Sequence, residues 1–194
     1  MILIMLLAIL VSYCIGSLSS AIIVCHIMRL PDPRTQGSMN PGTTNVLRIG
    51  GKWPACITLL GDALKGFVPV FTANLFALNS FYVAFIIVAV VLGHLFPIFF
   101  RFQGGKGVAT FLGTLLATFP LLGLFWIFIW ALITFIFRYV SVASIVASIL
   151  VPFEIILLTK NINDTLAYAF LVILIIYRHR NNMKHLLQGR ENKI

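Results

Sequence analysis

FYVAFIIVAVVLGHLFPIF, residues 81–99, contains no Asp, Glu, Lys or Arg. A helix rises about 1.5 Å per residue, so this stretch is long enough to cross a hydrocarbon layer of roughly 30 Å. The reading extends outward in both directions. Apolar runs cover 2–28, 53–78 (interrupted by Asp62 and Lys65), 140–158 (containing Pro152) and 165–177. The run 108–137 is too long for one span and breaks at Phe119-Pro120, giving a short helix and a full one. The expectation is an all-α integral membrane protein of about seven transmembrane helices, forming a single domain over 1–194.

Composition agrees. Hydrophobic residues make up 60% of the 194 and charged residues 10%, against about 25% charged in a typical soluble domain. The net charge is +9, but the cations are not arranged as a nucleic-acid surface. They gather in four short segments. One is the loop with Arg29, Arg34, Arg48 and Lys52; the second is the turn from Arg101 to Lys106; the third is Arg138; the last is a tail with Arg178, Arg180, Lys184, Arg190 and Lys193. With seven helices all four fall on one side, and the opposite loops hold only Lys160. Cations retained on the cytoplasmic side set the N-terminus outside and the C-terminus in the cytoplasm.

Metal and nucleophile chemistry find little support. The acidic residues are Asp32, Asp62, Glu154, Asp164 and Glu191, none in a ligand-spaced cluster with histidine. Cys14, Cys25 and Cys56 are odd in number, match no metal spacing, and read as packing residues. No Gly-x-Ser-x-Gly elbow occurs. No metal and no cofactor are expected.

Three polar segments exceed what folding in a membrane demands. The first is Gly37-Ser38-Met39-Asn40-Pro41-Gly42-Thr43-Thr44-Asn45-Val46-Leu47-Arg48. Glycines let backbone N–H groups approach an anion, hydroxyl and amide groups bind phosphate oxygens, and Arg48 can grip a phosphate with two hydrogen bonds. The second runs from Gly93-His94 to Gln103-Gly104-Gly105-Lys106-Gly107. A glycine turn opening a helix offers free N–H groups at a partly positive terminus, and Lys106 adds a full charge. The third is the tail, where His179 and Asn182 stand one helical turn apart. Asp62 and Lys65, three apart on the second helix, read as an intramembrane ion pair, and Ser141 and Ser144 share a face just after Arg138. Solvated loops and plain glycine turns explain any one segment about as well. A transporter for an organic phosphate, or a structural subunit, are the competing readings of the whole, though no inverted repeat is visible.

Taken together and in order, these segments resemble the bacterial acyl-phosphate-dependent glycerol-3-phosphate acyltransferases. The resemblance rests on Leu30-Pro31-Asp32-Pro33-Arg34 leading into Gly37 to Arg48, on Asp62-Ala63-Leu64-Lys65-Gly66, on Gly93 to Thr110, on Ser141 to Ile145, and on Arg178 to Glu191. It implies acyl phosphate and glycerol 3-phosphate as substrates in membrane lipid synthesis, and as partner the enzyme that supplies acyl phosphate. It implies an active site on the cytoplasmic face of a bacterial inner membrane, with no nucleic-acid partner. Family positions fall on Ser38, Arg48, His94 and Lys106 as catalytic residues. They fall on Thr44, Asn45, Gly104, Gly105, Ser144, His179 and Asn182 for substrate binding. Met39 stands where the family pattern expects glycine, and Gln103 where it expects lysine. The proton acceptor is expected to be either His94 or a substrate phosphate; no carboxylate is visibly placed to orient the histidine, which favours the phosphate.

Overall fold

The computed structural model describes residues 2–193, and among these it is entirely helical. The helices are α1 (Ile2–Gly16), α2 (Ser20–Ile27), α3 (Thr43–Gly50), α4 (Lys52–Leu75), α5 (Ser80–Leu95), α6 (Val108–Thr118), α7 (Pro120–Phe137), α8 (Val140–Thr159), α9 (Ile162–Arg178) and α10 (Arg180–Leu187), with one 3₁₀ turn at Ile98–Phe100 after α5. The chain packs as two compact units, the first ending at Thr118 and the second beginning at Phe119. Four segments are long and apolar enough to cross a bilayer: Lys52–Leu75, Ser80–Phe100, Pro120–Phe137 and Val140–Thr159. Two bent pairs raise the number to six, and Val108–Thr118 is a shorter apolar helix.

The first span departs from expectation. The apolar run 2–28 is not one helix; α1 and α2 meet at a 44° bend. The cause is local. Ser17 Oγ donates back to Tyr13 O (2.9 Å), while Ser19 caps α2 by accepting from Ile22 N (3.5 Å). Ser17 N and Leu18 N still donate to backbone carbonyls of α1, and the two hydroxyls supply the further hydrogen bonds that let one helix end and the next begin within the apolar run. The last apolar run, 165–177, falls within one helix as expected; α9 ends at Arg178, and α10, in the polar tail, leaves it at 51°. The basic loop 29–52 also differs from expectation, since it contains the short helix α3. The break at Phe119-Pro120 falls as expected, with Pro120 at the first position of α7.

In the first unit α5 is the central element, buried along most of its length. It meets α1 where Gly16 faces Val90 and Gly93 faces Tyr13, so closely that a Cβ on either glycine would overlap backbone oxygen. Helix pairs in lipid gain no hydrophobic drive from one another and associate through such close backbone approach. Helices α4 and α6 repeat the arrangement with Gly66 and Gly113.

In the second unit the contacts are partly polar. Trp126 and Trp130 stack along α7, their indole N–H groups donating to Ser148 (3.3 Å) and Ser144 (3.1 Å) of α8. Helix α9 opens with a reciprocal cap. Asn161 Oδ1 accepts from Asn163 N (3.1 Å) and Asp164 N (3.3 Å), and its amide donates to Asp164 Oδ2 (2.8 Å). Asn161→Ala should therefore cost about 1 kcal/mol, read as a lower midpoint in detergent-based thermal unfolding with turnover unchanged.

Candidate active site

The site in the first unit begins at the loop between α2 and α3. Asp32 folds this loop on itself. Its carboxylate accepts from Arg34 N (2.9 Å), Nε (3.0 Å) and Nη2 (2.6 Å). These side-chain hydrogen bonds from the guanidinium hold the Asp32 carboxyl below its ordinary range. The next anchor is Asn45, at 1% exposure. Its Oδ1 accepts from Ser38 N (2.8 Å), and its Nδ2 donates to Pro33 O (2.8 Å) and Gln36 O (3.0 Å). Both amide hydrogens are thus spent on the loop, and Asn45, one of the expected substrate-binding residues, holds Ser38 in place. Gly37 sits against Asn45 Oδ1 with φ +63, a place no side chain fits. Asn45→Ala leaves the buried Pro33 carbonyl without its partner and frees the Gln36 carbonyl and Ser38 N–H, and should cost about 1–3 kcal/mol together with most activity. Limited proteolysis of the 33–38 segment checks it, as faster cleavage with helix content retained.

Met39, the departure from the family pattern, has φ +55 and is exposed. That left-handed conformation is one glycine adopts without strain, which explains the pattern physically. Ser38 and Arg48 are exposed and Thr44 is half-buried, so these side chains are available to a ligand at the surface of the unit.

The second element is the turn 104–107. Gly105 N donates to His94 O (3.2 Å), folding the turn back over the end of α5. A Cβ at Gly104 would overlap the His94 carbonyl; one at Gly105 would overlap His94 Nε2 and come within 3.0 Å of Pro41 O. Only glycine fits at either position. The same closeness brings the 37–48 loop and the turn together at Pro41. Lys106 is half-buried, and Gly107 (φ +86) turns the chain into α6.

His94 lies in the last turn of α5. It is 7% exposed, with Nε2 packed beneath Gly105. Its Nδ1 lies 3.7 Å from Asp62 Oδ1, which corrects the expectation that no carboxylate faces the histidine. The same oxygen lies 2.8 Å from Lys65 Nζ, the ion pair expected from their spacing. Lys65 also donates to Leu18 O (2.6 Å), an acceptor exposed by the α1–α2 bend. The Asp62–His94 contact joins two helices and has no local signature in the sequence.

The expected residues of the second unit fall at the ends of its helices. His179 sits at the α9–α10 bend, buried, its Nδ1 donating to Ile175 O (2.8 Å). Asn182 donates to Glu191 Oε1 (2.7 Å), which also accepts from Ser141 (2.9 Å). Glu191 therefore ties the tail to α8, a role not anticipated from its position. Ser144 donates to Val140 O (2.8 Å) and accepts from Trp130. Among the described residues no group of His, Cys, Asp and Glu could hold a metal ion.

Fold and site define a class: a polytopic membrane protein with a glycine-rich, cationic surface suited to anions. The particular family follows from comparison. Residues 6–189 match the family model of the glycerol-3-phosphate acyltransferases, and the chain belongs to that family. The glycerol-3-phosphate acyltransferase of Ruthia magnifica subsp. Calyptogena magnifica is 50% identical over 95% of this chain and 94% of its own. That of Burkholderia cenocepacia (strain HI2424) is 49% identical over 97% and 90%. Among solved structures, PlsY (YgiH), an integral membrane glycerol 3-phosphate acyltransferase in its glycerol 3-phosphate form, aligns with TM-score 0.94. The identity is 38%, covering 98% of this chain and 95% of the other. A lysophosphatidic acid form of that protein aligns with TM-score 0.91.

Proposed function

We propose that this protein transfers a fatty acyl group from acyl phosphate to glycerol 3-phosphate, giving 1-acyl-glycerol 3-phosphate and phosphate. One observation carries the choice of donor: two cationic, glycine-rich segments meet at Pro41 and Gly105, one bearing Arg48 and the other Lys106. A reaction whose donor and acceptor both bear phosphate calls for two anion-binding elements side by side.

Acyl phosphate is a mixed anhydride with a good leaving group, so no covalent enzyme intermediate is needed. The primary hydroxyl oxygen of glycerol 3-phosphate attacks the carbonyl carbon. The tetrahedral intermediate collapses, the carbon–oxygen bond to phosphate breaks, and phosphate leaves with the electron pair. The hydroxyl proton passes to a substrate phosphate oxygen rather than to His94, whose Nε2 is covered by Gly105. Arg48 and Lys106 hold and neutralise the two phosphates, which would otherwise repel each other in a low-dielectric site, and Gly104 and Gly105 let the substrate approach the turn without a side chain in the way. Ser38 and Thr44 orient the polar groups, with Asn45 fixing the loop. His179, Asn182 and Ser144 are assigned to substrate binding in the second unit. Much of the acceleration then comes from positioning.

The proposed topology is seven spans, counting the two bent pairs and the short helix α6, with the N-terminus outside and the C-terminus cytoplasmic. It follows from the cations around Arg34, Lys106, Arg138 and Lys184. The site then faces the cytoplasm of a bacterial inner membrane, where an enzyme that makes acyl phosphate supplies the donor.

The deciding experiment incubates purified protein with labelled glycerol 3-phosphate and either palmitoyl phosphate or palmitoyl-CoA. Lysophosphatidic acid formed from palmitoyl phosphate alone is the expected result. Product from palmitoyl-CoA alone would overturn the donor, and uptake into proteoliposomes without acylation would replace the enzyme with a transporter.

A further inference from the structure

Asp62 and Lys65 have no part in the reaction as written, yet both are charged and buried, at 2% and 7% exposure, within a membrane helix. If packing were the only demand, an apolar pair of similar volume would fill the space at lower cost. Their contacts form a continuous chain. It starts at Leu18 O in the α1–α2 bend, passes through Lys65 Nζ (2.6 Å) and Asp62 Oδ1 (2.8 Å), and reaches His94 Nδ1 (3.7 Å). It ends where His94 Nε2 lies against Gly105. The starting point is itself tied to the exit of α5: Tyr13 donates to Phe96 O (2.7 Å), and Ile98 N donates to Ser17 Oγ (3.4 Å).

We propose that Asp62 and Lys65 are positioning residues for the turn 104–106, acting through the imidazole of His94. The inference rests on the reading of that turn as a phosphate cradle. At 3.7 Å Asp62 Oδ1 acts on His94 Nδ1 by charge and not by a hydrogen bond, and so favours a proton on that nitrogen and biases the tautomer of the ring. Lys65 holds the carboxylate and anchors the chain to the α1–α2 bend. The ring in turn is the floor beneath Gly105, fixing where its N–H and the Lys106 backbone stand. Loss of the pair lets the ring rotate and the turn move, so substrate affinity falls more than turnover.

The test is a cycle of variants in the full chain. Asp62→Asn with Lys65→Met removes both charges together, so neither is left buried without its counter-charge, though the Leu18 carbonyl loses its donor. The expected result is a KM about tenfold higher for whichever substrate the turn holds, with kcat within about threefold. Added to His94→Gln, the same pair should change KM by less than about twofold, because the route is already cut. Independent, additive losses would overturn the proposal. A second measurement needs no catalysis. In ¹⁵N-histidine-labelled protein in lipid nanodiscs, His94, assigned by its absence in His94→Gln, should carry a proton on Nδ1. It should lose that preference in the double variant. A wild-type ring with bare Nδ1 would overturn the proposal even if the double variant failed to fold. Were the chain to show no acyl transfer at all, the function would fall while the spectrum still decided the ring's orientation.

Discussion

Arg48→Ala lowers kcat/KM for acyl transfer by about 10²–10³-fold, and Lys106→Ala by a similar factor. On the proposed mechanism each removes a full positive charge that faces a substrate phosphate. Truncating one partner of such a pair costs about 2–5 kcal/mol, and about 1.4 kcal/mol is tenfold in rate. The two positions differ in kind. Arg48 lies exposed on the last turn of α3, where a planar fork can meet two phosphate oxygens, so Arg48→Lys should recover only part of the loss. Lys106 stands beside the N–H groups of a glycine turn and acts as a point charge, so Lys106→Arg should be limited by the space beside Gly105 rather than by charge. Steady-state release of phosphate from palmitoyl phosphate, with each substrate varied in turn, measures both. The substrate whose KM rises identifies which phosphate each cation holds. Near-normal kinetics in Arg48→Ala would remove the α3 loop from the site.

The membrane class was legible from residues 81–99 alone, because so long a run without charge has no other stable use in a helical chain. The break before α7 was legible too, since proline announces itself. The bend between α1 and α2 was not. Ser17 and Ser19 look like ordinary small residues of a membrane helix until their hydroxyls are seen bonding the backbone. Helix α3 was hidden by its glycine-rich approach and its shortness. At the site, residue types pointed to phosphate, but their division of labour did not. Asn45 and Ser38 look alike as polar loop residues. Only the carbonyls of Pro33 and Gln36 reveal that Asn45 works on the loop. Asp62 and His94 lie on different helices, and no sequence period relates them. Met39 is the converse case: an apparent mismatch becomes intelligible once its φ is known.

Gly93→Val should be the most damaging single change to the fold. A side chain there meets Tyr13 O, with Ser17 N at 2.8 Å and Gly16 C at 2.9 Å. All three are backbone, so no rotamer change can make room, and α1 must move away from α5. That separation also strains the two hydrogen bonds joining the α1–α2 bend to the end of α5, through Tyr13 and Ser17. It also draws Leu18 away from Lys65. Overpacking of this sort costs about 3 kcal/mol or more, a large part of the 5–15 kcal/mol by which a typical fold is stable. The thermal midpoint in detergent, followed by tryptophan fluorescence, should fall by about 6–12 °C if the variant accumulates at all. Gly189→Ala is the control. Unlike Gly93, it sits at positive φ, +66, and nothing lies within 4 Å of the added carbon, so only local strain of about 1–2 kcal/mol applies. A Gly93→Val protein as stable as Gly189→Ala would mean that α1 and α5 are not held by close backbone approach. The expected large gap between them would locate the mechanical core of the first unit at the Gly16–Gly93 crossing, directly behind the turn that the site depends on.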